Sequence, residues 1–404
     1  MRSSPFSQRE PLHEQDCGDI ITQMRLSTSI SRRHFCAISS GAITLSAFSR
    51  LTSPVAAPDE LRADERETLS RIANEFMTDC AVPGLSVAVA RHKDIIYQQA
   101  FGYADLKGKE PVTTASLFRI ASVTKPITST AIFQLVEQQK LSLDTKVFGA
   151  DGVLGTVYGR PPYNPGIDQI KIEHLLTHTA GGWSKNRDDP MFRNPDLDQK
   201  ELITATLKTR PLDFAPGTHY AYSNFGYCVL GRVIEKISGA KYADYVRDHI
   251  WKAVGIEGML IAGNTAHKRA PEEVHYYDQE GGDPYGMNVT RLDSAGGWIA
   301  TPAQILQFAI HVNGFPEDGN LLKPETIAAM TTGTNANPHY AKGWEVNDRG
   351  TWWHIGDLPG SSSILVRSPT GCCSAAFMNT RRMKPDLRLR LESMLREMVR
   401  TIAS

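Results

Sequence analysis

The sequence has no surplus of charge of either sign, since 44 Lys and Arg residues balance 44 Asp and Glu residues. A chain without a basic surplus offers no electrostatic attraction for nucleic acid or for an anionic membrane surface. The composition, with 41% hydrophobic and 22% charged residues in 404, is that of a globular protein with a large core. We therefore expect a small-molecule partner rather than nucleic acid, bound by a monomer.

Cysteine is scarce, with six residues in the whole chain. Two of them precede residue 58, which leaves Cys80, Cys228, Cys372 and Cys373 in the remainder. So few cysteines cannot form the dense disulfide framework of a small secreted scaffold, and none has the His-rich spacing of a metal site. We expect free buried thiols, no metal and no cofactor.

Long hydrophobic runs are also missing. The apolar stretch near the N-terminus, 35–48, is too short and too rich in Ser and Gly to span a bilayer. It follows an arginine pair at 32–33 and precedes Ala57, where small residues suit a signal peptidase. These features predict a Tat-type signal and extension over 1–57, with translation starting at Met24 as one hypothesis, and a periplasmic or secreted protein. The alternative is a disordered basic tail.

One stretch, 118–126, places a serine and a lysine at a spacing that chemistry can use. Residues three apart share a helix face, so Ser122 and Lys125 point into the same space. Pro126 is tolerated only in the first turn of a helix, which places the helix start close to Ser122. The free N–H groups and the positive dipole end of a helix N-terminus suit a developing oxyanion. A second copy of the pattern, at 238–241, follows an apolar run and contains glycine, which indicates a helix C-terminus.

The rest of the chain predicts strands near both ends and helices between them. Periodicity predicts terminal helices over 61–77 and 387–402, early strands over 84–90 and 94–97, and late strands over 343–346, 352–355, 363–366 and 373–379. We therefore predict an α/β fold whose mixed sheet is built from both chain ends and flanked by helices. A mostly helical insertion is expected over about 141–330, with a long polar loop at 185–199.

Two further patterns carry polar groups suited to a site. In 220–226, Tyr222 and Asn224 alternate along an expected extended segment, which allows a phenol and an amide to face one pocket. Farther on, His354 lies at a predicted strand edge where Gly356 lets the backbone approach a ligand. Each pattern is weak alone, and the combination with Ser122 is much more specific.

Together these patterns show a family resemblance. Ser-x-x-Lys near the start, Tyr-x-Asn in the middle and His-x-Gly near the end resemble the serine β-lactamase and penicillin-binding-protein superfamily. The similarity is to its class C-like branch, with DD-peptidases, D-amino-acid peptidases and family VIII esterases. Similar fragments lie at 175–182, 216–218, 295–301 and 359–360. The resemblance implies a β-lactamase/transpeptidase-like domain over 58–404.

Carried over residue by residue, the resemblance implies roles for the first two patterns. Ser122 is the nucleophile, Lys125 is its activator, and Tyr222 is a general base that later protonates the leaving group. The need for a base does not depend on the resemblance, because serine is a poor nucleophile until a base takes its proton. A neutral lysine, desolvated in a pocket, can serve as that base.

The remaining site residues are implied in the same way. Asn224 orients the substrate, and His354 with Gly356 lines the far wall of the pocket. The backbone N–H groups of Ser122 and Asp357 form the oxyanion hole. No step in this scheme requires a metal or a cofactor.

The third motif departs from that of many β-lactamases, whose Lys-Thr-Gly provides a cation for the substrate carboxylate. Lys-x-Gly occurs nowhere in this chain, and neither does the Ser-Asp-Asn of class A-like sites. The predicted function is therefore ester or amide hydrolysis, as a carboxylesterase, a D-aminopeptidase or a DD-peptidase. The alternatives are a β-lactamase and a non-catalytic binding or sensor protein that keeps the fold.

Two other enzyme classes are disfavoured by what is missing. His174 and His178 are four residues apart, but the HExxH order and a third ligand are absent, which favours helix packing over zinc binding. The Gly-x-Ser-x-Gly elbow of α/β-hydrolases is absent as well.

Overall fold

Strands lie near both ends of the chain, as predicted, with a few short strands between them. The computed structural model describes residues 61–184, 188–315, 319–383 and 386–403, so the predicted signal over 1–57 lies outside the described residues. The strands are β1 (Gly84–Arg91), β2 (Asp94–Asp105), β3 (Glu110–Pro111), β4 (Phe118–Arg119), β5 (Leu260–Ile261), β6 (Tyr277–Asp278), β7 (Trp298–Ala300), β8 (Glu345–Val346), β9 (Trp352–Leu358), β10 (Ser361–Arg367), β11 (Cys372–Met378) and β12 (Thr380–Arg381).

The largest sheet has seven strands in the order β3-β2-β1-β11-β10-β9-β8. Its neighbouring strands pair antiparallel throughout, because tight turns join β1 to β2, β9 to β10 and β10 to β11. The turn between β1 and β2 lies at His92-Lys93, as predicted, and His92 has a φ of 55°. We predicted a mixed sheet. The described parallel pair, β6 with β12, lies instead in a separate two-stranded sheet.

Helices cover both faces of the large sheet. They are α1 (Ala63–Cys80), α2 (Thr124–Glu137), α3 (Ile172–Leu176), α4 (Gln199–Thr209), α5 (Asn224–Ser238), α6 (Tyr242–Val246), α7 (Asp293–Gly296), α8 (Pro302–Ile310), α9 (Pro324–Met330) and α10 (Leu387–Ala403). On one face, Leu69 of α1 and Leu391 of α10 share a core with Val87 of β1, whereas Ala88 faces the core on the other side. Burial on both faces explains why 84–90 is a continuous apolar run.

The regular structure between β3 and β8 is mainly helical, although turns and loops hold more residues than the helices do, and α3 to α9 lie within the predicted insertion. It also contributes to a three-stranded sheet in the order β4-β7-β5. Strands of two or three residues carry no recognisable alternation, so periodicity did not predict this small sheet. Its position matters because β4 leads directly into Ser122.

The cysteines of the described chain are free thiols, as expected. Cys80, Cys228 and Cys373 are buried, and Cys372 is half-buried. Burial raises the pKa of Cys228 to about 12, so this thiol stays protonated and unreactive at neutral pH. Among the described helices, none combines the length and the apolar character needed to cross a membrane.

Candidate active site

Ser122 lies in a short 3-10 turn, Ala121–Val123, between β4 and α2. Ala121 has a left-handed φ of 46°, an uncommon and strained conformation for a residue with a Cβ. Helix α2 begins at Thr124 and holds Pro126 in its first turn. The prediction of a helix start close to Ser122 is therefore confirmed.

The chain that leads to Ser122 is fixed from two sides. On strand β10, Ser361 Oγ donates to the Arg119 carbonyl at 2.7 Å and Ser363 Oγ donates to the Ile120 carbonyl at 2.7 Å. The Arg119 and Glu273 side chains, both 0% exposed, form an ion pair at 3.8 Å. The two serine hydroxyls hold the segment that precedes Ser122 against β10. The ion pair with Glu273 holds Arg119 from the other side, and a buried charge pair is costly to break.

Two polar side chains, from two of the motifs, converge on the hydroxyl oxygen of Ser122. The Tyr222 hydroxyl donates to Ser122 Oγ at 2.8 Å, and Lys125 Nζ donates to the same oxygen at 3.0 Å. The serine is half-buried, so this oxygen lies within reach of a ligand. The structure therefore brings together the three residues predicted to carry the chemistry.

Lys125 is completely buried. Besides Ser122, its Nζ donates to Asn224 Oδ1 at 2.7 Å and to the Ala295 carbonyl at 2.8 Å. The Tyr222 ring centroid lies 4.8 Å from Nζ. The amine is thus held by uncharged oxygens and an aromatic face, and its direction toward Ser122 is fixed.

Tyr222 is buried among other aromatic rings. Desolvation raises its pKa well above the ordinary 10, against the opposing effect of its hydrogen bond to Ser122. The phenol therefore holds its proton at neutral pH. This state suits the proton-donor half of the predicted role.

Asn224 is the first residue of α5, and Ser223 caps that helix by accepting the Gly226 N–H at 3.1 Å. The predicted extended segment through Asn224 is wrong, because α5 already begins at that residue. Asn224 still faces the site through Lys125. Its backbone N–H donates to Asp189 at 2.6 Å, a contact that the sequence did not predict.

The third motif lies on β9, beside the serine segment. A Cβ built on Gly356 would lie 2.2 Å from the Ile120 carbonyl oxygen and 3.0 Å from the Ser122 nitrogen. Any side chain there would push β9 away from the nucleophile. The prediction that this glycine permits a close backbone approach is confirmed, although the backbone it approaches is that of the protein itself.

Asp357 directs its carboxylate away from Ser122. Ser362 Oγ donates to Asp357 Oδ1 at 2.6 Å, and the Arg388 guanidinium of α10 lies 3.0 Å from Oδ2. Burial raises the pKa of Asp357, and Arg388 opposes that shift. The carboxylate is thus engaged by Ser362 and Arg388, and the oxyanion-hole role of the Asp357 backbone N–H stays a prediction.

His354 is 2% exposed and lies behind the other motif residues. Its Nε2 is 3.2 Å from the Tyr340 hydroxyl, and its Nδ1 is 2.8 Å from the Ile355 carbonyl oxygen. The imidazole therefore packs against protein groups.

Two aromatic residues of the site were not predicted from the sequence. His178, expected to pack a helix, lies beyond the end of α3, with its ring centroid 4.2 Å from that of Tyr222. Its Nε2 is 3.0 Å from the Tyr340 hydroxyl, which thereby bridges His178 and His354. The fragment 175–182 was a signal for His178, but Tyr340 belongs to no local pattern.

The second Ser-x-x-Lys copy and His174 lie in other parts of the structure. Ser238 ends α5, and Gly239 caps that helix with a φ of 74°, as predicted for the second Ser-x-x-Lys copy. His174 accepts the Lys171 N–H in the first turn of α3. No cluster of three potential metal ligands occurs among the described residues.

A known protein family matches most of the chain. The Beta-lactamase family model matches residues 69–396. The chain belongs to this family. It is 26% identical to penicillin-binding protein 4* of Bacillus subtilis (strain 168) over 321 residues, 70% of this chain and 64% of the relative. It is 32% identical to the esterase EstB of Burkholderia gladioli over 206 residues, 46% of this chain and 49% of the relative.

Solved structures agree on the fold. D-amino acid amidase from Ochrobactrum anthropi SV3 superposes with a TM-score of 0.67 at 23% identity, over 84% of this chain and 98% of that chain. The chain spans less than two thirds of the length of several curated relatives that it matches. The chain is thus a member of the Beta-lactamase family with the fold of these solved structures, and its relatives include an esterase.

Proposed function

We propose that the protein cleaves an ester or amide bond through an acyl-enzyme on Ser122. The observation that carries this proposal is the convergence of Lys125 Nζ and the Tyr222 hydroxyl on Ser122 Oγ, at 3.0 Å and 2.8 Å. Such an arrangement provides a nucleophile with a base and a proton donor at hydrogen-bond distance.

Acylation uses Lys125 as the base. In its neutral form the amine donates its two hydrogens to Asn224 and the Ala295 carbonyl, and its lone pair takes the hydroxyl proton of Ser122 while Oγ bonds to the substrate carbonyl carbon. The backbone N–H groups of Ser122 and Asp357 stabilise the oxyanion, since β9 lies against the serine segment. These backbone donors are already in place before the substrate binds, so no charged side chain has to move to stabilise the oxyanion.

Collapse of the tetrahedral intermediate needs a proton for the leaving group. The Tyr222 hydroxyl supplies it, and the Lys125 ammonium then returns a proton to the phenolate. The proton of Ser122 has thereby moved to the leaving alcohol or amine. Deacylation runs the same path with water in place of the leaving group, which restores the Ser122 hydroxyl and releases the acid.

Esters and D-amino-acid amides or peptides are the substrates that the third motif supports best. His354 replaces the lysine that holds the substrate carboxylate in many β-lactamases, and this imidazole is buried against Tyr340. We accordingly propose carboxylesterase or D-peptidase-like activity, with β-lactam hydrolysis as the second candidate because of the family match.

The test is a mass measurement on the full chain after incubation with a short acyl ester and, separately, with a β-lactam. We expect an adduct on Ser122 with at least one reagent, and turnover of the ester. Ser122→Ala should abolish both adduct and turnover, whereas Ser238→Ala, in the second motif copy, should leave them unchanged. A folded protein that forms no adduct with any serine-directed reagent would instead support the binding or sensor alternative.

A further inference from the structure

A carboxylate outside the three motifs reaches the centre of the site. Asp189 is 1% exposed, and its Oδ2 accepts the backbone N–H of Asn224 at 2.6 Å. Its Oδ1 accepts the Met191 N–H at 3.0 Å. Asn224 Oδ1 in turn accepts from Lys125 Nζ at 2.7 Å, so a short chain of contacts joins Asp189 to the proposed base.

The loop that carries Asp189 is held in place by a buried cation. Arg291 is 4% exposed, and its guanidinium donates to four carbonyl oxygens of this loop. They belong to Asn194 at 2.7 Å, Leu197 at 2.6 Å, Met191 at 3.1 Å and Arg193 at 2.9 Å. A buried guanidinium whose two terminal nitrogens both donate to one loop fixes that loop, and with it the position of Asp189.

We propose that Asp189 is a positioning residue for the hydrolytic reaction, which holds Asn224 against Lys125 and sets the charge balance of that lysine. The inference rests on the proposed function of Ser122 and Lys125. An ionised carboxylate at this position favours the ammonium form of Lys125, and a neutral group favours the amine that accepts the serine proton.

The charge of Asp189 changes within a range of pH at which hydrolysis can be measured. Desolvation raises its pKa to about 6, and the N–H donors of Met191 and Asn224 and the charge of Lys125 oppose that shift. The Cys228 thiol on α5 is also within electrostatic range of Asp189 and of Arg291.

The rings of Tyr222 and Tyr227 face Lys125, with centroids 4.8 Å and 5.4 Å from Nζ. Both phenols stay protonated at neutral pH, because burial raises their pKa values far above 10. Neither phenol therefore changes charge near neutrality, whereas the carboxylate of Asp189 does.

The simpler explanation is that Asp189 only caps helix ends. It accepts one N–H from the first residue of α5 and one from the turn at 190–192. A cap affects folding and the position of Asn224, but it does not alter the pH at which Lys125 becomes a base. The pH profile of kcat/KM therefore separates the two roles.

The experiment compares wild type with Asp189→Asn in the full chain, using a neutral acyl ester between about pH 5 and 9. We expect the acid limb of kcat/KM to move to lower pH by about one unit or more, because a buried negative charge near Lys125 has been removed. The matched control is Asp198→Asn, which removes another helix-capping carboxylate, bonded to the Glu201 N–H at 2.7 Å, and should leave the limb in place.

An acid limb that keeps its position while kcat/KM falls equally at every pH would overturn the proposal. If Asp189→Asn does not fold, Asp189→Ser repeats the test, since serine also caps helices and carries no charge. Failure of both variants to fold would assign Asp189 to structure alone. Failure of the proposed function would show separately, as wild-type protein without an adduct on Ser122.

Discussion

Gly356 is the residue at which a single added carbon should separate two parts of the site. Gly356→Ala places a Cβ 2.2 Å from the Ile120 carbonyl oxygen and 2.4 Å from Ser363 Oγ. Because backbone lies on one side, β9 must shift, at a cost of about 1–3 kcal/mol in the free energy of unfolding. We expect that loss, together with a fall in kcat/KM of at least about tenfold, since a small displacement at a reacting centre is costly.

Gly159→Ala is the control for that substitution. Its nearest neighbour would be a Tyr163 ring carbon at 3.4 Å, an ordinary contact, so stability and kcat/KM should stay near wild type. Calorimetric unfolding and ester hydrolysis measure both quantities. Wild-type kcat/KM in Gly356→Ala would mean that β9 does not form a wall of the reacting centre.

At this scale the sequence identified the residues whose spacing is local. Ser122, Lys125 and Tyr222 belong to short patterns, and helix periodicity is enough to place the first two together. Asp189 and Tyr340 reach the site only because distant segments fold over it. Such contacts depend on loop positions, which local propensity does not encode.

Among the secondary structure elements, those with strong periodicity were predicted within a few residues. The hairpin at His92-Lys93, helix α2 and the terminal helices α1 and α10 are examples. The small sheet of β4, β7 and β5 was not predicted, since its strands are too short to alternate. An extended segment was predicted through Asn224, but α5 begins there, because its cap, Ser223, precedes the first apolar residue of the helix.

Helix α10 supports β9 through one partly buried ion pair. Arg388 and Asp357 are 27% and 15% exposed, and the Arg388 charge opposes the upward shift in the pKa of Asp357. Arg388 also pairs with Asp386, so Arg388→Met removes both contacts; it should raise the pKa of Asp357 further and destabilise the fold by about 1–3 kcal/mol at pH 8. The loss should shrink toward pH 4, because a protonated Asp357 no longer needs the cation.

Arg390→Met provides the comparison on the same helix. Arg390 pairs with Asp79 at 3.2 Å, but both side chains are more than half exposed, so we expect a change of under about 0.5 kcal/mol at either pH. Calorimetric scans of both variants at pH 4, 6 and 8 measure the difference. A deficit in Arg388→Met that is equal at all three values would show that Asp357 is not stabilised by the Arg388 charge.

On the scale of the whole molecule, the site lies where the two ends of the described chain meet the region between them. The third motif comes from the C-terminal strands, the serine helix follows the N-terminal strands, and Tyr222 and Asp189 come from the helical region. Each of these three parts of the chain contributes a different group to the site. The site therefore forms only when the whole domain has folded.

This requirement fits the export route that we propose for the N-terminal segment, since the Tat route carries folded proteins. The prediction is that a reporter fused after Arg62 reaches the periplasm, and that Arg32→Lys with Arg33→Lys retains it in the cytoplasm, because the translocase recognises the arginine pair. Arg25→Lys, which changes a neighbouring arginine in the same way, should export normally. Cell fractionation measures the outcome. Export that survives the double substitution would indicate another route, and a wild-type reporter that stays inside would indicate that residues 1–57 are only a basic tail.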